Sequence, residues 1–209
     1  MAHSIFTKRE RFVDIADKTF KVFVVLVVPL VVATLFLSSN IISLIGGAGF
    51  VESGPVLQIL VFALACIFFG QFFNTILIVG NLQKRLMWTL GFAAVVNVVL
   101  NLILIPKFSY VAAAYTSVIT EFLVVVLTAW MVATKLDYIP RMERLSGVAM
   151  SGGLMALFLY AFRGTNFFAL AIVSCVIYGV SLWIFKTITM AEITSLISKR
   201  GVQEYDELP

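Results

Sequence analysis

Six apolar stretches, each of 18 residues or more, govern what this chain can fold into. A helix needs about 20 such residues to cross a ~30 Å hydrocarbon core. The first stretch is charge-free from Val22 to Val51, with a helix expected over about 22–45. The second lies between Glu52 and Lys84, with a helix from about Val56 to Ile78. The third runs from Leu86 to Ile105 and is closed by Pro106; the fourth, Tyr110 to Ala133, contains one charge, Glu121. The fifth is Leu145 to Phe162 and the sixth Asn166 to Phe185. Six long runs do not read as ten-residue barrel strands, and open strands leave backbone groups unpaired in lipid. The expectation is an all-α integral membrane protein, a bundle of six transmembrane helices.

Composition excludes the soluble alternatives. Apolar residues make up 61% of the chain and charged residues 12%, against roughly 45–50% and about 25% in a soluble domain. A chain of this size cannot hide that much apolar surface in its own core. A soluble enzyme, a disordered chain and a coiled coil are thereby excluded. The single histidine, His3, allows neither a histidine-based triad nor a histidine/cysteine metal cluster. No catalytic constellation lies at either membrane interface, so no enzymatic role, cofactor or metal is expected. Cys66 and Cys175 both fall inside apolar runs and read as small hydrophobes, not as a redox pair.

The distribution of charge orients the chain. The N-terminal segment carries Lys8, Arg9, Arg11, Lys18 and Lys21. The loop after the second span has Lys84 and Arg85, and the loop after the fourth has Lys135, Arg141 and Arg144. The C-terminal end adds Lys186, Lys199 and Arg200. Thirteen of the 15 basic residues therefore lie on one side, with only Lys107 and Arg163 on the other. The positive-inside rule makes this a chain with both termini cytoplasmic, in the cell membrane, with the bilayer as its surroundings and no nucleic-acid partner.

Residues 1–21 lack the features of a cleaved signal peptide. Ile5, Phe6, Phe12, Val13, Ile15 and Ala16 alternate there with charges, as in a helix lying at the membrane interface. The expected organisation is an interfacial segment at 1–21, a four-helix unit at 22–133, two further spans at 134–187, and a cytoplasmic tail at 188–209. That tail ends in Glu204, Asp206 and Glu207.

Polar residues inside the spans are the candidates for function. Pro29 removes a backbone donor from the first helix, which makes either a hinge or a static kink. Asn97 and Asn101 stand four apart, on one face of the third helix; Gln71 and Asn74 lie near the cytoplasmic end of the second. Such amides either tie helices together, at about 0.6 kcal/mol each, or line a polar cavity that contacts sugar hydroxyls. Glu121 lies eleven residues from Tyr110, about 16 Å deep at 1.5 Å per residue. An ionised carboxylate costs at least about 2.5 kcal/mol at that depth. It therefore serves ion coupling or substrate contact, or is a protonated carboxyl bonded to Asn97 or another amide. Asn97 is at a similar depth, about 12 Å from Ile105. Gly147 with Ser151, and Gly152 with Ala156, form small-xxx-small pairs suited to close helix contact.

Several short motifs now carry a resemblance. They are Leu57-Gln58-Ile59-Leu60, Asn74-Thr75-Ile76-Leu77-Ile78, Gly80-Asn81-Leu82-Gln83-Lys84, and the run from Val96 through Asn97, Asn101 and Pro106 to Phe108. In order and spacing they resemble the O-antigen-type flippases of the multidrug/oligosaccharidyl-lipid/polysaccharide exporter superfamily. Ala112-Ala113-Ala114 followed by Thr120-Glu121 is similar to that family's small-residue run and Thr-Glu pair. Pro29, and Gly46 to Phe50, match a proline and an outer loop of the family. The resemblance covers about residues 15–133, and the last two spans match the extra pair of fourteen-span members. Ser109-Tyr110-Val111 stands where the family usually has a glycine.

The resemblance implies one lobe of a two-lobed transporter. Its substrate would be a lipid-linked oligosaccharide, carried across the membrane in cell-surface polysaccharide biosynthesis. Half a cavity does not enclose such a substrate. A second lobe is therefore implied, from a homodimer or a separate membrane protein, as in a natural half-transporter, a split gene or a truncated one. Two other readings stay open: a cation-coupled small-molecule exporter of the same superfamily, and a non-transporting membrane subunit of a glycan-assembly complex.

Overall fold

A computed structural model describes residues 2–141, 145–185 and 187. The expected tail at 188–209 lies outside the described residues. Among the described residues every regular element is helical. The chain divides into two compact units, Met1–Met142 and Glu143–Pro209.

The first unit opens with α1 (Ala2–Gly46), which runs uninterrupted through Pro29. The backbone has no boundary at residue 21, where an interfacial segment was expected to end. Hydropathy changes there, but helix propensity does not, because Ala, Lys, Arg and Glu favour the helix as much as Leu does. Gly47, with φ 84°, stops α1 in a conformation that glycine adopts freely. A short 3-10 helix (Ala48–Ser53) leads into α2 (Gly54–Val79), whose first turn carries Pro55. A side chain on Gly54 would collide with the Ser39 hydroxyl, so the glycine permits close contact of α1 and α2. Gln58 Nε2 donates to the Leu35 carbonyl across the same interface at 2.8 Å.

Gly80, Asn81 and Leu82 turn the chain into α3 (Gln83–Lys135). Asn81 takes φ 57°, which asparagine tolerates better than most residues. α3 is two apolar helices joined by a break at Ser109 (φ 56°, ψ −147°). The break falls three residues beyond Pro106, the expected end of the third helix. Pro106 lies in the last turn of the first limb instead. The limbs, 83–108 and 110–135, fold back on each other: Thr89 Oγ1 lies 3.4 Å from Met131 Sδ near one end, and Asn97 meets Thr120 at mid-height.

The core of this unit lies at one end. Ala16 and Phe20 of α1 pack with Phe72, Phe73, Ile76 and Leu77 of α2, and with Leu86, Met131 and Val132 of α3. Tyr138 joins this cluster and is 3% exposed. Its hydroxyl donates to Asp17 Oδ1 at 2.8 Å, and the Arg141 backbone N–H donates to the same oxygen at 3.1 Å. Burial first, and the Asp17 contact second, hold the Tyr138 phenol above its ordinary range. Elsewhere the pattern of a soluble domain is inverted. Trp88, Leu102 and Phe122 point outward, as they should where the surroundings are hydrocarbon.

The second unit pairs α4 (Leu145–Ala161) with α5 (Phe167–Ile184). Gly147, Ser151 and Gly152 are buried on α4, and Ser174, Tyr178 and Ser181 on α5, so small residues bring the pair close. Asn166 caps α5, its Oδ1 accepting from the Phe168 N–H at 3.0 Å. Cys66 in the first unit and Cys175 in the second are both free thiols.

Among the described residues, four helical stretches are long and apolar enough to cross a membrane: Arg9–Gly46, Gly49–Val79, Gln83–Lys135 and Phe167–Ile184. Gln83–Lys135 is the folded pair of limbs. α4 has 17 residues, one short of the expected stretch, because the chain turns at Phe162.

Candidate functional site

Between α2 and the two limbs of α3 lies a cavity of about 570 Å³. α2 contributes Gln71 and Asn74, the first limb Asn97, and the second limb Thr120 and Glu121. Ile67, Leu90, Val98 and Val124 supply much of the apolar wall. Four residues singled out in the sequence therefore converge. Helical spacing explains why: Gln71 and Asn74 are three apart, so both face one direction. The hairpin at Ser109 then sets Asn97 and Thr120–Glu121 at one level.

The amide orientations follow from a directional chain of hydrogen bonds. Asn101 Nδ2 donates to Asn97 Oδ1 at 2.9 Å. Asn97 Nδ2 donates to Thr120 Oγ1 at 3.0 Å, and that hydroxyl donates onward to the Thr116 carbonyl at 2.9 Å. Asn97 and Asn101 thus act as ties between and along helices, and Asn101 lies outside the cavity lining.

Glu121 is different. Its carboxylate lines the cavity and has no hydrogen bond or ion pair to another described residue. A direct bond to Asn97, one of the two alternatives raised by the sequence, is not formed here, since Thr120, one position earlier, takes that amide. Asn74 Oδ1 is a buried oxygen without a partner among the described residues, and so is Asn101 Oδ1. Buried acceptors of this kind normally find a donor. With the Glu121 oxygens, Asn74 leaves the cavity rich in acceptors and suited to hydroxyl donors or a cation. Pro29 is not part of this arrangement, because α1 contributes nothing to the lining.

Thr120 was not among the candidate site residues. Its signal was present in the i, i+4 series Thr116, Thr120, Val124 and Thr128, which is buried throughout.

No family model matches the chain, and no solved structure matches it. Over an alignment of 125 residues that covers 58% of the chain, it is 26% identical to the uncharacterized membrane protein MJ1068 of Methanocaldococcus jannaschii. The chain spans about a quarter of that relative's length, 24%. Long apolar helices, an outward-facing apolar surface and this similarity agree that the chain is a helical membrane protein.

Proposed function

We propose that the chain is a membrane component of a flippase for lipid-linked oligosaccharides, one lobe of a two-lobed transporter. It spans the membrane six times, with both termini in the cytoplasm. The observation that carries this reading is the cavity where Gln71, Asn74 and Glu121 present polar atoms inside an apolar bundle. Intramembrane carboxylates and amides that line a cavity mark pathways for polar substrates and ions. The volume is within the usual range for ligand pockets. Sugar hydroxyls would donate to Asn74 Oδ1 and Glu121 while the lipid tail stays in the bilayer. A second lobe would come from another copy or from a separate membrane protein.

The lining contains an acid and no Lys or Arg. That observation favours a second reading, export of a cation or of a cationic small molecule. Proteoliposomes distinguish the two. Movement of a fluorescent lipid-linked oligosaccharide between leaflets, by cross-linked dimers or by the chain with its partner, supports the flippase. Uptake of an organic cation without glycan movement supports the second reading. Activity in neither assay points to a non-transporting subunit.

A further inference from the structure

A second recess, of about 390 Å³, opens at the end of the first unit where the core lies. Arg9 of α1, Lys135 at the end of α3, and Asp137 are its charged residues. Phe12, Val79 and Leu136 are among its apolar ones. With two cations and one acid, the lining carries one net positive charge. Arg9 gives one donor to the Asp137 backbone carbonyl at 3.4 Å, which leaves most of its five N–H groups available. Lys135 is exposed and has no hydrogen bond or ion pair to another described residue. The charge of the nearby Asp17 is matched by the Arg141 guanidinium, whose Nε lies 3.8 Å from Asp17 Oδ2.

The recess is thus lined by apolar and by cationic side chains together. It sits at the helix ends that also bear Lys84 and Arg85, where a lipid headgroup layer meets the protein. An inorganic anion would find the cations but leave the apolar wall unused. A zwitterionic lipid would fill the wall but balance its phosphate with its own ammonium. We infer that this recess binds an anionic membrane phospholipid. Its phosphate sits between Arg9 and Lys135, and the start of an acyl chain lies along Phe12, Val79 and Leu136. The inference is independent of what the larger cavity transports.

Each Lys or Arg near an anionic lipid surface contributes about five-fold in affinity. Native mass spectrometry of the purified full chain, titrated with phosphatidylglycerol or phosphatidylcholine of the same acyl chains, measures the preference. Phosphatidylglycerol should bind at least about five-fold more tightly. Arg9→Gln with Lys135→Gln should remove the preference, and Lys107→Gln, in the last turn of the first limb of α3, should leave it intact. The charge-preserving pair Arg9→Lys with Lys135→Arg should keep it. Lys135→Gln alone, at an exposed site that does not threaten folding, should lower it part of the way. An unchanged preference in the double variant, or an equal loss in Lys107→Gln, overturns the inference. Displacement of the lipid by millimolar inorganic phosphate also overturns it, since the site would then be one for free anions.

Discussion

Asn97 of the first limb of α3 donates its amide to the Thr120 hydroxyl of the second at 3.0 Å, one residue before Glu121, whose carboxylate has no hydrogen bond or ion pair among the described residues. This bond ties the two limbs at the height of the cavity. Interhelical side-chain bonds in lipid average about 0.6 kcal/mol, with a maximum near 1.7. A double-mutant cycle of Asn97→Leu and Thr120→Val, read by unfolding in detergent, should give a coupling energy in that range. A coupling of zero would remove the tie.

Glu121→Gln keeps the size and polarity of the side chain but cannot carry charge. The variant should reach normal membrane levels and lose most transport in a glycan-export complementation assay, because a coupling or substrate-binding carboxylate needs its charge. Normal export at normal protein level would falsify that role and reduce Glu121 to a polar wall residue.

In the proposed topology, the alternation of basic loops would put residue 135 inside and residue 52 outside. Glu52→Cys and Lys135→Cys, each introduced without Cys66 and Cys175, can be tested in intact cells with an impermeant thiol reagent. Labelling should occur at position 52 alone. The reverse pattern would invert the orientation.

Ser109 holds φ 56° and ψ −147°, a backbone conformation that suits glycine. Positive φ costs a non-glycine residue about 1–2 kcal/mol, partly offset by the greater chain entropy that glycine loses on folding. Ser109→Gly should therefore raise stability by up to about 1 kcal/mol, and Ser109→Val should lower it by more. Thermal unfolding in detergent decides this; a Ser109→Gly variant less stable than the parent would contradict the strain.

Tyr138 donates to Asp17, and its phenol is held above its ordinary range. The unfolded chain loses that proton near pH 10, before the folded chain does. Stability from this source is therefore complete below about pH 10 and declines as pH rises beyond it. Tyr138→Phe should cost about 1–2 kcal/mol at pH 7 and flatten the alkaline decline. Unfolding midpoints measured across the alkaline range test both parts.

The apolar helices were legible because lipid imposes one requirement on every residue of a span, and a run of Val, Leu, Ile and Phe satisfies it locally. The meeting of Asn97 with the Thr120–Glu121 pair was legible to within one residue, since depth can be counted at a fixed rise. Which of the two neighbours takes the amide depends on rotation about the helix axis, which counting does not supply. The Asp17–Tyr138–Arg141 cluster was illegible for another reason. Asp17 is more than 120 positions from both Tyr138 and Arg141, and all three lie where hydropathy has no period. The continuity of α1 was not legible because the rise in hydropathy after residue 21 reads as a boundary, although backbone propensity does not change there.

That continuity gives α1 the character of a lever. Its 45 residues form a rod of about 68 Å at 1.5 Å per residue. It is held near its middle by the aromatic contacts of Phe20 and Phe23 with Phe72, and farther along by the Gln58 bond to Leu35. A tilt of about ten degrees about its midpoint would carry each tip roughly 6 Å, given that length. Arg9, near one tip, would move together with Gly46 at the other, so a lipid engaged at one membrane face would be mechanically geared to the loop at the opposite face.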